Sequence, residues 1–194
     1  MVVGLTGGIG SGKTTVLNLF REHNVAVYIA DVEAKQLMNT STLIKEQLVK
    51  EFGLNVYKEN KLNRPFLAEI VFKDKNKLKI LNSIVHPEVY KHLNNFIKKN
   101  SDKDYIVYEN AILFENGSDT LCDKIITVTA PKLIRIQRVL NRDNTTEKEV
   151  LQRIANQWKE EKKLLQSNYI IENIELKDTQ KTVQQIHNFL TQKK

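Results

Sequence analysis

Five of the seven glycines in this 194-residue chain fall within its first twelve positions, and four of them build the run Gly7-Gly8-Ile9-Gly10-Ser11-Gly12-Lys13-Thr14. Ahead of the run, Val2-Val3-Gly4-Leu5 reads as a short buried strand. Behind it, Lys13 to Asn24 reads as a helix whose buried side is Val16, Leu17, Leu19 and Phe20. Strand, G-x-x-x-x-G-K-[ST] and helix in that order is the pattern of a phosphate-binding loop. The glycines let successive backbone N–H groups converge on one anion, and the helix N-terminus adds partial positive charge. The candidate nucleotide-binding residues are therefore Gly8, Ile9, Gly10, Ser11, Gly12, Lys13, Thr14 and Thr15. Lys13 is placed to reach the β- and γ-phosphates of a nucleoside triphosphate, and the Thr14 hydroxyl to ligate Mg²⁺. The plainer reading, a glycine-rich turn that only starts a helix, accounts for neither the lysine nor the threonine.

The rest of the chain alternates strands with helices. Strands are expected at Ala26–Ile29, Tyr105–Tyr108, Lys124–Val128 and Tyr169–Ile171. Helical patterns cover Val32–Phe52, then three segments from Arg64 to Asn100 broken near Lys73-Asp74 and at His86-Pro87. Further helices are expected at Lys132–Asn141, at Thr146–Trp158 and from Thr179. This alternation predicts an α/β fold, a three-layer α/β/α arrangement around a parallel sheet. The helical stretch between the second and third strands is longer than a crossover needs and predicts an inserted helical subdomain, about 32–100. The core is then 1–31, 101–131 and 165–194, with a charged helical segment at about 132–164.

No apolar run approaches the ~18–20 residues of a membrane span, and the N-terminus turns polar too soon for a signal peptide. One cysteine, Cys122, excludes an internal disulfide framework. A cytoplasmic protein, monomeric and not bound to membrane or nucleic acid, is the expectation. The net charge of +7 sets 24 lysines and 6 arginines against 23 acidic residues, and four of the arginines lie between positions 135 and 153. On one helix Arg135, Arg138 and Arg142 share a face opposite Leu133, Ile136 and Leu140. Three neighbouring cations repel one another, so the row invites an anion. The reading is a lid that brings arginine to a transferring phosphoryl group; the alternative is a solvated basic face.

Right-handed crossovers bring the carboxyl ends of parallel strands to one edge, the edge of the loop. Asp31 follows the second strand and Glu109 ends the third. Asp31 is either a general base or a helix N-cap, and position alone leaves the two open. Glu109 suits an outer role toward a metal better than that of a base. Ordinary packing accounts for the stripe Val150, Leu151, Ile154, Trp158.

In order along the chain come Gly4-Leu5-Thr6-Gly7-Gly8-Ile9-Gly10-Ser11-Gly12-Lys13, Ala30-Asp31, Asn63-Arg64 and Leu81-Asn82 before His86-Pro87. Then follow Ile112-Leu113-Phe114-Glu115-Asn116-Gly117, Gln137-Arg138, Arg142-Asp143, Arg153-Ile154, Gln157 and Ile171-Glu172-Asn173. Together these resemble the dephospho-CoA kinase family from about residue 3 to 173. The resemblance implies a P-loop NTPase fold of the nucleoside-monophosphate-kinase type, with ATP and Mg²⁺ as cofactors and dephospho-CoA as phosphoryl acceptor. It implies Asp31, Lys13 and Arg142 as catalytic residues, with Arg138 and Arg142 on the ATP phosphates. It places Asp31, Lys35, Arg64, His86, Leu113 and Glu115 along the acceptor. Departures from the family pattern are Ile29 and Lys35 where aspartate and arginine are common, Ala111 for proline, and Ser167-Asn168 for Ala-Asp. None removes a catalytic group, although lysine for arginine gives up a bidentate grip. Another small-molecule P-loop kinase is the nearest alternative. A GTPase would need N-K-x-D and D-x-x-G, which the chain lacks, and a nucleic-acid motor would need more chain.

Overall fold

Strand β1 (Val2–Gly7) is buried at every position because it has a strand on either side. In the computed structural model, which describes residues 1–192, it leads through the glycine run into α1 (Lys13–Phe20), β2 (Ala26–Ile29), α2 (Ala30–Thr40) and α3 (Thr42–Phe52). The two-residue strands β3 (Tyr57–Lys58) and β4 (Lys61–Leu62) precede α4 (Arg64–Lys73) and α5 (Lys75–Lys99). Then come β5 (Ile106–Glu109), β6 (Lys124–Thr129), α6 (Lys132–Arg142), α7 (Glu147–Ala155), α8 (Glu160–Leu165), β7 (Tyr169–Glu172) and α9 (Leu176–Thr191).

The five long strands lie in the order β2-β5-β1-β6-β7. β1 runs parallel to β5 and β6, and β6 parallel to β7, in the register Val3↔Val107, Leu5↔Ile126 and Val128↔Ile171. The carboxyl ends of these four strands therefore share one edge, where the glycine run begins and where Glu109 and Asn173 emerge. The apolar runs of β1, β5 and β6 are buried on both faces, as a sheet covered by helices requires. Among the described residues no helix is long and apolar enough to cross a membrane.

Contacts divide the chain into two compact units, Met1–Tyr28 with Asn100–Lys194, and Ile29–Lys99. The second is all helix apart from the β3–β4 hairpin and a short 3-10 turn, and its core gathers Ile44, Leu48, Phe52, Val56, Leu67, Val71 and Val85. Positions 193–194, the end of the expected core segment, lie outside the described residues.

Several expected boundaries move. Pro87 does not break a helix: α5 runs unbroken through it. A mid-helix proline costs about 3 kcal/mol or more; here Ile80, Leu81, Ile84, Val85 and Val89, on both sides of it, pack into the unit's core. The single helix expected over Val32–Phe52 is two, because the Ser41 hydroxyl accepts the Ile44 N–H and starts a new one. The polar stretch after Phe52 holds a hairpin turned by Glu59 and Asn60, both at positive φ. α8 was not anticipated. Leu133 is 80% exposed, whereas Arg135, Ile136 and Val139 are buried on α6, so the expected division of this helix into basic and apolar faces fails at Leu133 and Arg135. Cys122 packs against β1 at Gly4, and burial pushes its thiol up to about 12.

Candidate active site

The glycine run is shaped by what stands against it. Gly12 has φ 89° and is the left-handed residue at which α1 begins; a side chain there would strike the Asn173 amide. Gly10 has φ 79°, and a side chain there would strike the Arg135 backbone. Both positions need glycine for conformation and for space. The first turn of α1 has no side-chain cap and no acidic residue, so its positive end suits an anion. Thr14 and Thr15 are exposed there. Lys13 donates from Nζ to the Gly7 carbonyl at 3.0 Å, across the mouth of the loop. These features fit a nucleoside triphosphate, and the exposed Thr14 hydroxyl is of a type that could ligate Mg²⁺.

Side chains from later in the chain hold the loop backbone. Arg135 is 4% exposed; its Nε donates to the Ile9 carbonyl at 2.9 Å and its Nη1 pairs with Glu160. Glu160 also accepts the Thr129 hydroxyl at the end of β6. Gln157 accepts the Ile9 N–H on Oε1 at 2.9 Å. The Ser11 carbonyl receives Asn173 Nδ2 at 2.9 Å and Arg138 Nη1 at 3.5 Å, and Arg138 Nη1 also donates to the Asn173 carbonyl at 2.9 Å. The Thr179 hydroxyl donates to Asn173 Oδ1 at 3.1 Å, fixing the orientation of that amide. Ser11 is itself fully buried, and its hydroxyl has no partner among the described residues. Gly8, Arg135, Gln157 and Trp158 border a cavity of about 720 Å³ with Lys132 and Lys159 on its rim.

Of the three arginines expected to meet an anion, the structure separates the roles. Arg135 is a buried strut. Arg138 is bound to backbone carbonyls. Arg142 is the exposed one, held by Asp143 through Nε at 2.8 Å and Nη2 at 3.0 Å. That hydrogen bond raises the Arg142 guanidinium's affinity for its proton, and Arg142 together with Arg153 holds the Asp143 carboxyl below the usual range.

Two residues expected along the acceptor are engaged elsewhere. Leu113 is fully buried and lies against β1 at Gly4, so it shapes the segment from within the core and cannot line a surface for a ligand. Glu115 accepts the Trp158 backbone N–H at 2.9 Å and pairs with Lys163 Nζ at 2.7 Å, while its other oxygen is buried without a hydrogen-bond partner among the described residues. Burial pushes this carboxyl up, but the hydrogen bonds from Lys163 and Trp158 outweigh it and leave it below the ordinary value. Lys163 is 1% exposed and also donates to the Ala111 carbonyl. Lys163→Met should therefore destabilise the protein by about 3–5 kcal/mol, since it strands a buried carboxylate. Adding Glu115→Leu should recover most of that loss; urea denaturation of the three proteins checks both values.

The unit Ile29–Lys99 carries the other expected residues. Asp31 and Lys35 are exposed, one turn apart on α2. Ile29 occupies the N-cap and Asp31 lies in the first turn, so the cap reading of Asp31 does not hold. Arg64 opens α4 just after its cap, Asn63, and His86 is exposed on α5. Sequence reasoning named Asn173 only within the motif Ile171-Glu172-Asn173, with no role attached, and missed Glu160. Glu160, in a run of charges, gives no signal.

The family model for dephospho-CoA kinase (CoaE) matches residues 1–178. A dephospho-CoA kinase of Bacteroides fragilis is 36% identical over 171 residues, covering 88% of this chain and 83% of its own. Among solved structures, TT1252 from Thermus thermophilus superposes with a TM-score of 0.88 at 30% identity over 96% of this chain and 95% of its own. The dephospho-CoA kinase of Campylobacter jejuni superposes with a TM-score of 0.71 at 27% identity over 97% and 96%. With a phosphate loop on a parallel sheet and a family match that spans nearly its whole length, the chain belongs to the dephospho-CoA kinase family.

Proposed function

We propose that this chain transfers the γ-phosphoryl group of ATP to the ribose 3′-hydroxyl of dephospho-CoA, giving CoA and ADP in the last step of CoA synthesis. The observation that carries the reading is the family match over residues 1–178, on a chain whose loop can hold phosphate. The loop Gly8–Thr15, through the backbone N–H groups that the Gln157 and Gly8 oxygens leave available, and the Lys13 ammonium bind and neutralise the phosphates. The Thr14 hydroxyl would hold Mg²⁺, which would supply further charge neutralisation when bound. Asp31 accepts the proton of the attacking 3′-hydroxyl, and Lys35, Arg64 and His86 grip the anionic acceptor. Arg138 keeps the loop in shape near the phosphates. Arg142 leaves Asp143 for the transferring group, because a phosphoryl oxygen competes well with a solvated carboxylate for a guanidinium. α6 to α8 serve as the lid and the unit 29–99 as the acceptor-binding part. The enzyme acts as a monomer in the cytoplasm and uses small molecules, not nucleic acid.

The test is ADP formation from ATP and Mg²⁺ with dephospho-CoA, beside adenosine, AMP, shikimate and gluconate. Turnover with dephospho-CoA alone, with CoA as the product, is expected. Turnover confined to another acceptor would keep the phosphoryl chemistry and overturn the acceptor.

A further inference from the structure

Ile9, in the middle of the phosphate loop, is held on three sides. Gln157 accepts its N–H at 2.9 Å, Arg135 Nε donates to its carbonyl at 2.9 Å, and its side chain packs on the Ile136–Val139–Val150 cluster between α6 and α7. Two successive peptide units, one on each side of Ile9, are thus fixed. A loop of this composition has more backbone freedom to lose than any other, and its grip on phosphate depends on N–H groups already being in place.

We infer that Gln157 is a positioning residue of the phosphate loop, acting through Ile9 rather than by touching the substrate. The inference rests on the reading that this loop binds a nucleoside triphosphate. The side-chain type is what the position requires. An N–H donor needs an acceptor, and glutamine offers an uncharged one; glutamate would offer the same reach with a negative charge beside a phosphate site. Gln157 is itself anchored by its neighbour: Trp158, the chain's one tryptophan, stacks on Phe114 with ring centroids 5.9 Å apart and donates its backbone N–H to Glu115. The loop is thereby braced against the segment that follows β5.

The test compares wild type with Gln157→Met, which keeps length and loses the acceptor, and Gln157→Glu, which keeps the acceptor and adds charge. Calorimetric affinity for a non-hydrolysable ATP analogue is measured at low and high salt. Emission of Trp158 in the nucleotide-free proteins reports whether the turn is intact. Gln157→Met should bind the analogue roughly five- to tenfold more weakly at either salt, the worth of one lost hydrogen bond. Its KM for ATP should rise while its KM for the acceptor stays the same. Gln157→Glu should bind weakly at low salt and recover toward wild type at high salt, since its defect is a screened charge. Wild-type affinity in Gln157→Met, or the same salt response in both variants, would overturn the inference. Failure of the wild type to bind the analogue would overturn the nucleotide reading beneath it.

Discussion

Lys13→Ala should lower turnover about 10³-fold or more, the scale on which removing a preorganised charge-stabilising group acts on a developing negative charge. The protein should stay folded. The Lys13 ammonium donates to the Gly7 carbonyl at 3.0 Å, a bond worth at most about 1.5–3 kcal/mol to stability. The loop is fixed independently of it, through Arg135, Arg138, Gln157 and Asn173. Lys13→Arg should not rescue, because a longer planar fork cannot replace a point charge in a loop this tight. Steady-state kinetics beside thermal denaturation decide it. A large loss of melting temperature with the residual turnover unchanged per folded molecule would mean that Lys13 is structural.

Asp31→Asn should lower kcat by roughly 10²- to 10⁴-fold, the usual contribution of a general base. KM for ATP should hardly move. The stability cost should be small, because the N-cap of α2 is Ile29 and the carboxylate lies exposed in the first turn. What is lost there is its interaction with the helix dipole, about 0.3–1 kcal/mol. The two roles that position alone left open, base and cap, thus give different patterns: a rate defect in a stable protein for the base, a stability defect with normal turnover for the cap. Near-wild-type turnover by the purified variant would remove Asp31 from the chemistry.

The loop was legible because its requirements are local. Gly10 and Gly12 need a positive φ, Lys13 and Thr14 must start the helix, and all lie within one short stretch of chain. The parallel sheet was legible from apolar runs separated by helical ones. Pro87 misled because a local rule against mid-helix proline is overridden by packing on both sides of it. The turn at Glu59-Asn60 gave no glycine signal, because neither residue is the glycine that such backbone usually takes.

Arginine shows the limit most clearly. Spacing placed Arg135, Arg138 and Arg142 on one face, and by charge and periodicity they are alike. Only the fold separates them. Arg135 is buried on Ile9 and Glu160, Arg138 caps carbonyls of the loop and of Asn173, and Arg142 is exposed on Asp143. Leu113 and Glu115 likewise read as surface for a ligand until burial showed one in the core and the other paired with Lys163.

The sequence by itself determined the phosphate loop, the α/β class and the family, since each is written in contiguous residues or in the period of apolar positions. The tertiary structure decided which charges are free to meet a substrate and which hold the loop in place. Those choices depend on partners far apart in the chain, Ile9 with Arg135 and Gln157 or Ser11 with Asn173. No local pattern encodes such partners, because the energy of a charge or an amide is set by what folding brings beside it.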